Sequence, residues 1–389
     1  MDHTFDWQSR TRLIFGANSI EQLGEVARAI AGRRILVVTD AGIVVVGHVD
    51  RARQSLEAAG LFVSVFDAVR ENPTTRDVDA CVEAARAADA DVLIGLGGGS
   101  SIDTAKGANF LLTNGGTMRD YWGVGKASRE MLPLIAVPTT AGTGSECQSF
   151  ALIADEETHQ KMACGDPKAA PRVALLDPVL TVSQPRTVTA CTGLDAIAHA
   201  VESAVTRRRN AVSWLFSREA FRLTVTNFGR VLDAPEDLEA RGAMLLGAAY
   251  AGIAIENSML GAAHSMANPL TAHYGIAHGQ AVGMMLPHVV RFNAEQPEAR
   301  EAYYELAVSN GLVEPGAPRA DAAEALAAHL TDLLRFAGMP TVLADCAVAE
   351  DALPALAVEA ASQWTAQFNP REITAEEFAV LYRGALAGM

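Results

Sequence analysis

Apolar positions in the first 180 residues fall into short, nearly continuous runs, separated by segments whose apolar residues recur at helical spacing. Residues 34–40, 61–66, 91–96 and 132–137 predict buried strands, and 173–178 predict a last one. Between them, 46–59 and 75–88 predict helices, the second opened by a threonine cap. Apolar strands alternating with helices predict a Rossmann-like parallel sheet covered on both faces. From Ser183 onward the β-rich runs stop. Ala/Leu/Glu-rich helical patterns follow at 189–205, 214–227, 238–257, 279–292, 321–336 and 375–387. The expected organisation is an α/β domain over 1–182 and an all-helical domain over 183–389. The longest nearly apolar run, 242–255, is too short to cross a bilayer and reads as a buried helix.

Composition narrows the class. Lys and Arg number 31 against 46 Asp and Glu, a formal charge of −15. Neutralising phosphates needs a basic surface, so neither a nucleic acid nor an anionic membrane is an expected partner. The N-terminal MDHTFDWQSR has no apolar core of a secretory signal, and the five cysteines form no C-x-x-C pair. The expectation is a cytoplasmic protein without disulfides or a thiolate metal site.

Two small-residue loops carry the first candidate chemistry. Gly97-Gly98-Gly99-Ser100-Ser101 follows a strand and opens the helix bearing Asp103 and Lys106. Consecutive glycines let backbone approach a ligand, and a helix N-terminus offers unpaired N–H groups, so the pair makes a pyrophosphate cradle. In isolation the same motif is equally a flexible turn. Val137-Pro138-Thr139-Thr140-Ala141-Gly142-Thr143-Gly144-Ser145-Glu146 is a second such loop at a strand's carboxyl end, the edge where open α/β sheets bind ligands. Asp40, ending an earlier strand, suits a ribose diol and repels a 2′-phosphate, which favours NAD over NADP. Taken alone, Asp40 reads as a turn or cap residue.

The helical half contains Asp195 and His199 four residues apart, on one helix face. His264 and His278 follow. One carboxylate and three imidazoles suit a divalent ion, Fe(II) or Zn(II), held by nitrogen and oxygen donors with positions left open. A lone Asp/His pair is more often a surface contact. Here His199 lies among Ala, Ile and Val, and His264 among Gly, Ala and Met, so both head for the interior, where polar groups need partners.

At these motifs the chain resembles the iron-containing (group III) alcohol dehydrogenase family, over essentially its whole length, from Ile14-Phe15-Gly16 to Asn369-Pro370-Arg371. The most specific match is Thr192-Gly193-Leu194-Asp195-Ala196-Ile197-Ala198-His199-Ala200-Val201-Glu202. The resemblance implies a dehydroquinate synthase-like architecture, a homodimer or larger oligomer, and metal ligands at Asp195, His199, His264 and His278. It implies cofactor contacts at Asp40, Asn72, Gly98, Gly99, Ser100, Asp103, Thr139, Thr140, Ser149, Lys161 and Leu180. One departure stands out. Many relatives carry a further histidine four residues after the third ligand, suspected of relaying protons; this chain has Asn268. An amide is no acid or base near neutral pH, which leaves His273, itself readable as an exposed helix-end residue, or a water chain through the ribose as the candidate relay.

The expected function is metal-dependent, NAD(H)-linked reversible hydride transfer between a small primary alcohol and its aldehyde. Maleylacetate reductase-like and glycerol dehydrogenase-like members are alternatives, and Asp103 and Asp195 argue against the first. A dehydroquinate synthase-like NAD- and metal-dependent lyase needs a Lys/Arg cluster for a phosphorylated substrate; the metal motifs here are surrounded by Gly, Ala, Met and Leu.

Overall fold

The computed structural model describes residues 5–158 and 160–388. By its contacts the chain divides into two compact units, Gln8–Gln184 and Pro185 onward. Residues 5–7 group with the helical unit. Trp7 packs there at a tilt against Phe216, with ring centroids 6.4 Å apart.

The first unit is built on a six-stranded parallel sheet. Its strands are β1 (Arg12–Phe15), β2 (Arg34–Val38), β3 (Phe62–Phe66), β4 (Val92–Gly97), β6 (Leu134–Pro138) and β9 (Val173–Leu176), in spatial order β1-β9-β6-β4-β2-β3. The central strands β4, β6 and β9 are buried at every position, as their unbroken apolar runs require. Helices α1 (Leu23–Ala29), α2 (Ala41–Val45), α3 (His48–Ala58), α4 (Thr75–Ala87) and α5 (Gly99–Asn114) complete the layers. Two apolar clusters lie against the sheet: one gathers Ile20, Leu23, Val49 and Leu56, the other Val78, Cys81, Val82 and Phe110. After β3 the chain crosses back to place β4 on the other side of β2, so the order reverses between β2 and β4, the point where doubly wound sheets bind ligands.

Four strands lie outside the sequence reading. β1 is only four residues long, partly exposed and at the sheet edge. The others, β5 (Gly123–Val124), β7 (Phe150–Ala154) and β8 (Lys161–Gly165), form a separate small sheet in which β7 and β8 are antiparallel.

The second unit is helical, as expected from Ser183 on. Its helices are α6 (Arg186–Ser203), α7 (Ala211–Asp233), α8 (Leu238–Ser258), α9 (Ala262–Tyr274), α10 (His278–Asn293), α11 (Pro297–Ser309), α12 (Arg319–Ala337), α13 (Leu353–Ser362) and α14 (Ala375–Ala387). Helix α8 corrects the expectation of a run too short for a bilayer. Capped by Asp237, it extends over 21 residues and is long and apolar enough to cross a membrane; 67% of its most apolar window is buried inside the protein. It also carries the buried Arg241, which donates to the Pro235 carbonyl and the Thr189 hydroxyl. Burial of most of its length beyond the first turn explains its lack of polar periodicity.

Candidate active site

In the α/β unit three loops meet at the carboxyl ends of β2, β4 and β6. β4 ends at Gly97, whose φ of 149° suits glycine alone, and Gly98 caps α5. A β-carbon on Gly99 would fall 2.6 Å from the Thr143 methyl, so this glycine lets the start of α5 interlock with the 139–146 loop. The Thr139 amide donates to the Gly97 carbonyl at 2.9 Å, while the Thr139 hydroxyl is buried without a hydrogen-bond partner. Thr140 lies beside Gly98. The Asn72 amide, at φ 53°, donates to the Ser100 hydroxyl at 3.3 Å, which joins the loop after β3 to the glycine turn. Asp40 is the N-cap of α2: its Oδ1 accepts from the Gly42 and Ile43 amides at 2.9 and 3.1 Å.

Beneath these loops lies a buried polar cluster. Lys106, fully buried, donates through Nζ to the Ser145 carbonyl and hydroxyl and to the Phe150 carbonyl, at 2.6, 2.7 and 2.8 Å. The Ser145 hydroxyl donates to Asp103 Oδ1 at 2.5 Å, and the Leu152 amide donates to Asp103 Oδ2. Burial raises the Asp103 carboxyl, against the opposing pull of Lys106 and these hydrogen bonds. The hydrogen bonds of Asp103 thus go to the protein interior, where they tie α5 to the 139–146 loop. Burial also lifts the neighbouring Glu146 carboxyl to about 7. Lys161 opens β8 opposite Ala154, and Ser149 is buried just before β7. Leu180 is fully buried in the turn after β9, where its carbonyl receives His48 Nε2 at 3.1 Å.

In the helical unit the Asp and three His meet in one cluster. Asp195 and His199 lie one turn apart on α6, His264 sits in the first turn of α9, and His278 is the first residue of α10. Asp195 Oδ1 is 3.5 Å from His199 Nε2, 3.4 Å from His264 Nε2 and 3.9 Å from His278 Nε2. The His199 and His264 rings stack at 4.8 Å, and the His264 and His278 centroids are 5.5 Å apart. Asp195, His199 and His264 are buried, and His278 keeps partial exposure. Asp195 Oδ1 and His264 Nε2 are both buried without a hydrogen bond.

These spacings exceed good hydrogen bonds. The distances to His199 and His264 match instead the roughly 3.4 Å edge of a tetrahedron of donors about 2.1 Å from a common centre. The ligand atoms of Asp195, His199 and His264 all lie within 4.8 Å of one another, and His278 stands slightly farther off. Electrostatics agree. Burial alone would raise Asp195, but the surrounding imidazoles hold its carboxyl well below the usual range. Burial alone would lower His264, but the Asp195 and Glu202 carboxylates raise it to about 9. The two buried carboxylates thus draw positive charge to the imidazoles beside them, charge that a bound cation would supply instead.

The structure does not bring His273 into this cluster. Its ring is exposed at the end of α9 and pairs with Glu359 at 2.7 Å. Asn268, one turn after His264, donates to Gln363 at 3.0 Å. Neither residue touches the four clustered side chains, so the relay expected at His273 lacks geometric support. Glu202 was missed by sequence reasoning; its signal was a spacing of seven from Asp195, which returns it to the same helix face.

Both halves of the chain match one family. Residues 10–178 match the model for iron-containing alcohol dehydrogenase, and residues 189–386 match the C-terminal model of the Fe-containing alcohol dehydrogenase family. The chain belongs to the iron-containing alcohol dehydrogenase family. Like its members it is an oxidoreductase acting on CH–OH donors. It is 34% identical to alcohol dehydrogenase 4 of Schizosaccharomyces pombe, over 96% of this chain and 87% of that one. It is 33% identical to the NAD-dependent methanol dehydrogenase of Bacillus methanolicus, over 96% and 97%. A crystal structure of 1,3-propanediol oxidoreductase superposes with a TM-score of 0.95 at 33% identity, covering 98% of this chain and all of that one. For an iron-containing alcohol dehydrogenase, nitrogen and oxygen donors grouped in a helical unit are the expected kind of metal centre.

Proposed function

We propose that this iron-containing alcohol dehydrogenase uses NAD(H) to interconvert a small primary alcohol and its aldehyde, with Asp195, His199, His264 and His278 holding a divalent ion, Fe(II) or Zn(II). The observation that carries the metal assignment is the set of 3.4–3.9 Å spacings around Asp195 Oδ1, with two orphaned buried donor atoms among them. Without a cation, burying these groups costs several kcal/mol. When bound, the ion supplies Lewis acidity toward a hydroxyl or carbonyl oxygen. Asp195 contributes the charge that offsets half of the ion's own, and the three imidazoles fix its position.

In the α/β unit, Gly98, Gly99, Ser100, Thr139 and Thr140 line the strand ends where the pyrophosphate of the dinucleotide would lie, with Asn72 holding Ser100. Asp40, fixed by its cap hydrogen bonds, presents a carboxylate suited to the ribose diol and hostile to a 2′-phosphate. Ser149, Lys161 and Leu180 are carried over from the family resemblance as further cofactor contacts. Asp103, turned inward, acts by holding the 139–146 loop. The glycine and hydroxyl character of these loops lets backbone approach a phosphate closely. The enzyme is read as a cytoplasmic homo-oligomer, in keeping with its five free cysteines.

The test is metal analysis of the purified protein followed by NADH oxidation over a panel of small aldehydes. Stoichiometric iron or zinc and aldehyde-dependent turnover are expected, with both lost in H264A. Full metal content and activity in H264A would overturn the assignment.

A further inference from the structure

Glu202 is a buried carboxylate, 3% exposed, on the same face of α6 as Asp195 and His199. Its two oxygens have separate partners. Oε1 accepts the Ala263 amide at 2.7 Å, in the first turn of α9, where unpaired N–H groups and the helix dipole favour an anion. Oε2 meets His264 Nδ1 at 2.5 Å.

Imidazole has two nitrogens, and a carboxylate can only accept. A proton therefore sits on Nδ1, and Nε2, the orphaned atom 3.4 Å from Asp195, is the nitrogen that would offer its lone pair to a cation in place of a second proton. One carboxylate thus fixes the backbone that carries His264, the tilt of its ring and its tautomer. The surroundings keep room for it. A β-carbon at Gly261 would fall 3.1 Å from Glu202 Oε1 and 3.0 Å from Asn369 Oδ1. Asn369 in turn accepts the Ala262 amide and exchanges two hydrogen bonds with Asn293.

We infer that Glu202 is a positioning residue for the metal centre, setting His264 as an Nε2 ligand and adding a second buried negative charge beside the ion. Asn369 anchors the same helix start without touching an imidazole, so it separates helix anchoring from ligand orientation. The inference rests on the reading that Asp195, His199, His264 and His278 hold a divalent ion.

The experiment measures Zn(II) and Fe(II) dissociation constants by chelator competition on the full-length wild type, E202Q and N369A, with circular dichroism of each apoprotein. E202Q keeps the side-chain volume but can direct its amide N–H at Nδ1, which admits the wrong tautomer. The expected result is metal affinity 10- to 100-fold weaker in E202Q. N369A is expected to melt at lower temperature while holding metal within about threefold of wild type. Wild-type affinity in E202Q would overturn the inference, and so would an equal loss in N369A. Should E202Q not fold, E202D keeps the charge and shortens its reach; weakened metal binding then supports the inference and unchanged binding overturns it. A wild type that takes up no stoichiometric metal would instead refute the underlying metal reading.

Discussion

Gly279 lies so close to Cys191 that a β-carbon on it would overlap the Cys191 carbonyl oxygen. The obstacle is backbone, which has no rotamer to yield. The contact joins the first turn of α10 to α6 and so sets His278 opposite Asp195, 3.9 Å away. G279A is expected to push α10 off α6, destabilise the protein by about 1–3 kcal/mol and loosen the metal centre from the His278 side. Thermal unfolding together with metal content checks this. A variant with wild-type melting temperature and full metal would show that the contact does not matter.

Lys106 is the largest buried charge below the cofactor loops. Its ammonium satisfies two carbonyls and the Ser145 hydroxyl and lies 3.7 Å from Asp103. K106M removes the cation and leaves Asp103 buried without its counter-charge, a change that typically costs about 3–5 kcal/mol. Because the ammonium holds the 139–146 loop, the KM for NADH should rise more than kcat falls. Denaturant unfolding and steady-state kinetics would reveal it; unchanged stability and KM would mean that Ser145 and Phe150 hold the loop unaided.

His273 makes the opposite case. Its side chain is 55% exposed and its partner Glu359 39% exposed, so their pairing is worth at most about 1 kcal/mol. H273A should leave kcat and its pH profile within error of wild type. A lost limb in that profile would restore the relay that the geometry withholds.

The inner strands of the parallel sheet were legible because a strand buried on both faces must be largely apolar, as β4, β6 and β9 are throughout and β2 is after Arg34; the short edge strand β1 was not. The small sheet was not legible: β5 spans two residues, and β8 begins with a lysine. Helix α9 escaped notice because Gly261 precedes it and Pro269 lies inside it, both signals against helix. Yet α9 carries His264, and its start is held by Glu202 and Asn369, residues 61 and 107 positions away. Three of the cluster's residues announce themselves by type. What places His264 among them is a long-range hydrogen bond that no local pattern encodes. The same limit explains His273, whose spacing suggested a relay and whose helix turns it outward.

Glu146 ties the 139–146 loop to pH. It is 1% exposed, its Oε1 has no hydrogen-bond partner, and burial raises its carboxyl from 4.5 to about 7, although Lys106 pulls the other way. A carboxyl whose folded value is raised binds its proton more tightly in the native state than in the unfolded one. Below about pH 4.5 both states are protonated and the group has no effect on stability. Between about 4.5 and 7 the unfolded chain ionises first, so stability falls as pH rises. Above about 7 both states are ionised and the loss is complete, at about 3 kcal/mol. Other groups titrate in the same window, so the quantity to measure is the difference between wild type and E146Q, whose side chain does not ionise. Denaturant unfolding from pH 4 to 8 should show wild type losing stability relative to E146Q across that window, with the two curves running parallel above it. Parallel curves throughout would mean that Glu146 keeps an ordinary carboxyl in the folded protein, with its charge balanced by Lys106. Neutral Glu146 at pH 6 also leaves the Lys106 charge to Asp103 alone. The 139–146 loop should therefore be held most firmly on the acidic side of neutrality, and the KM for NADH in wild type should rise between pH 6 and 8 by more than it does in E146Q.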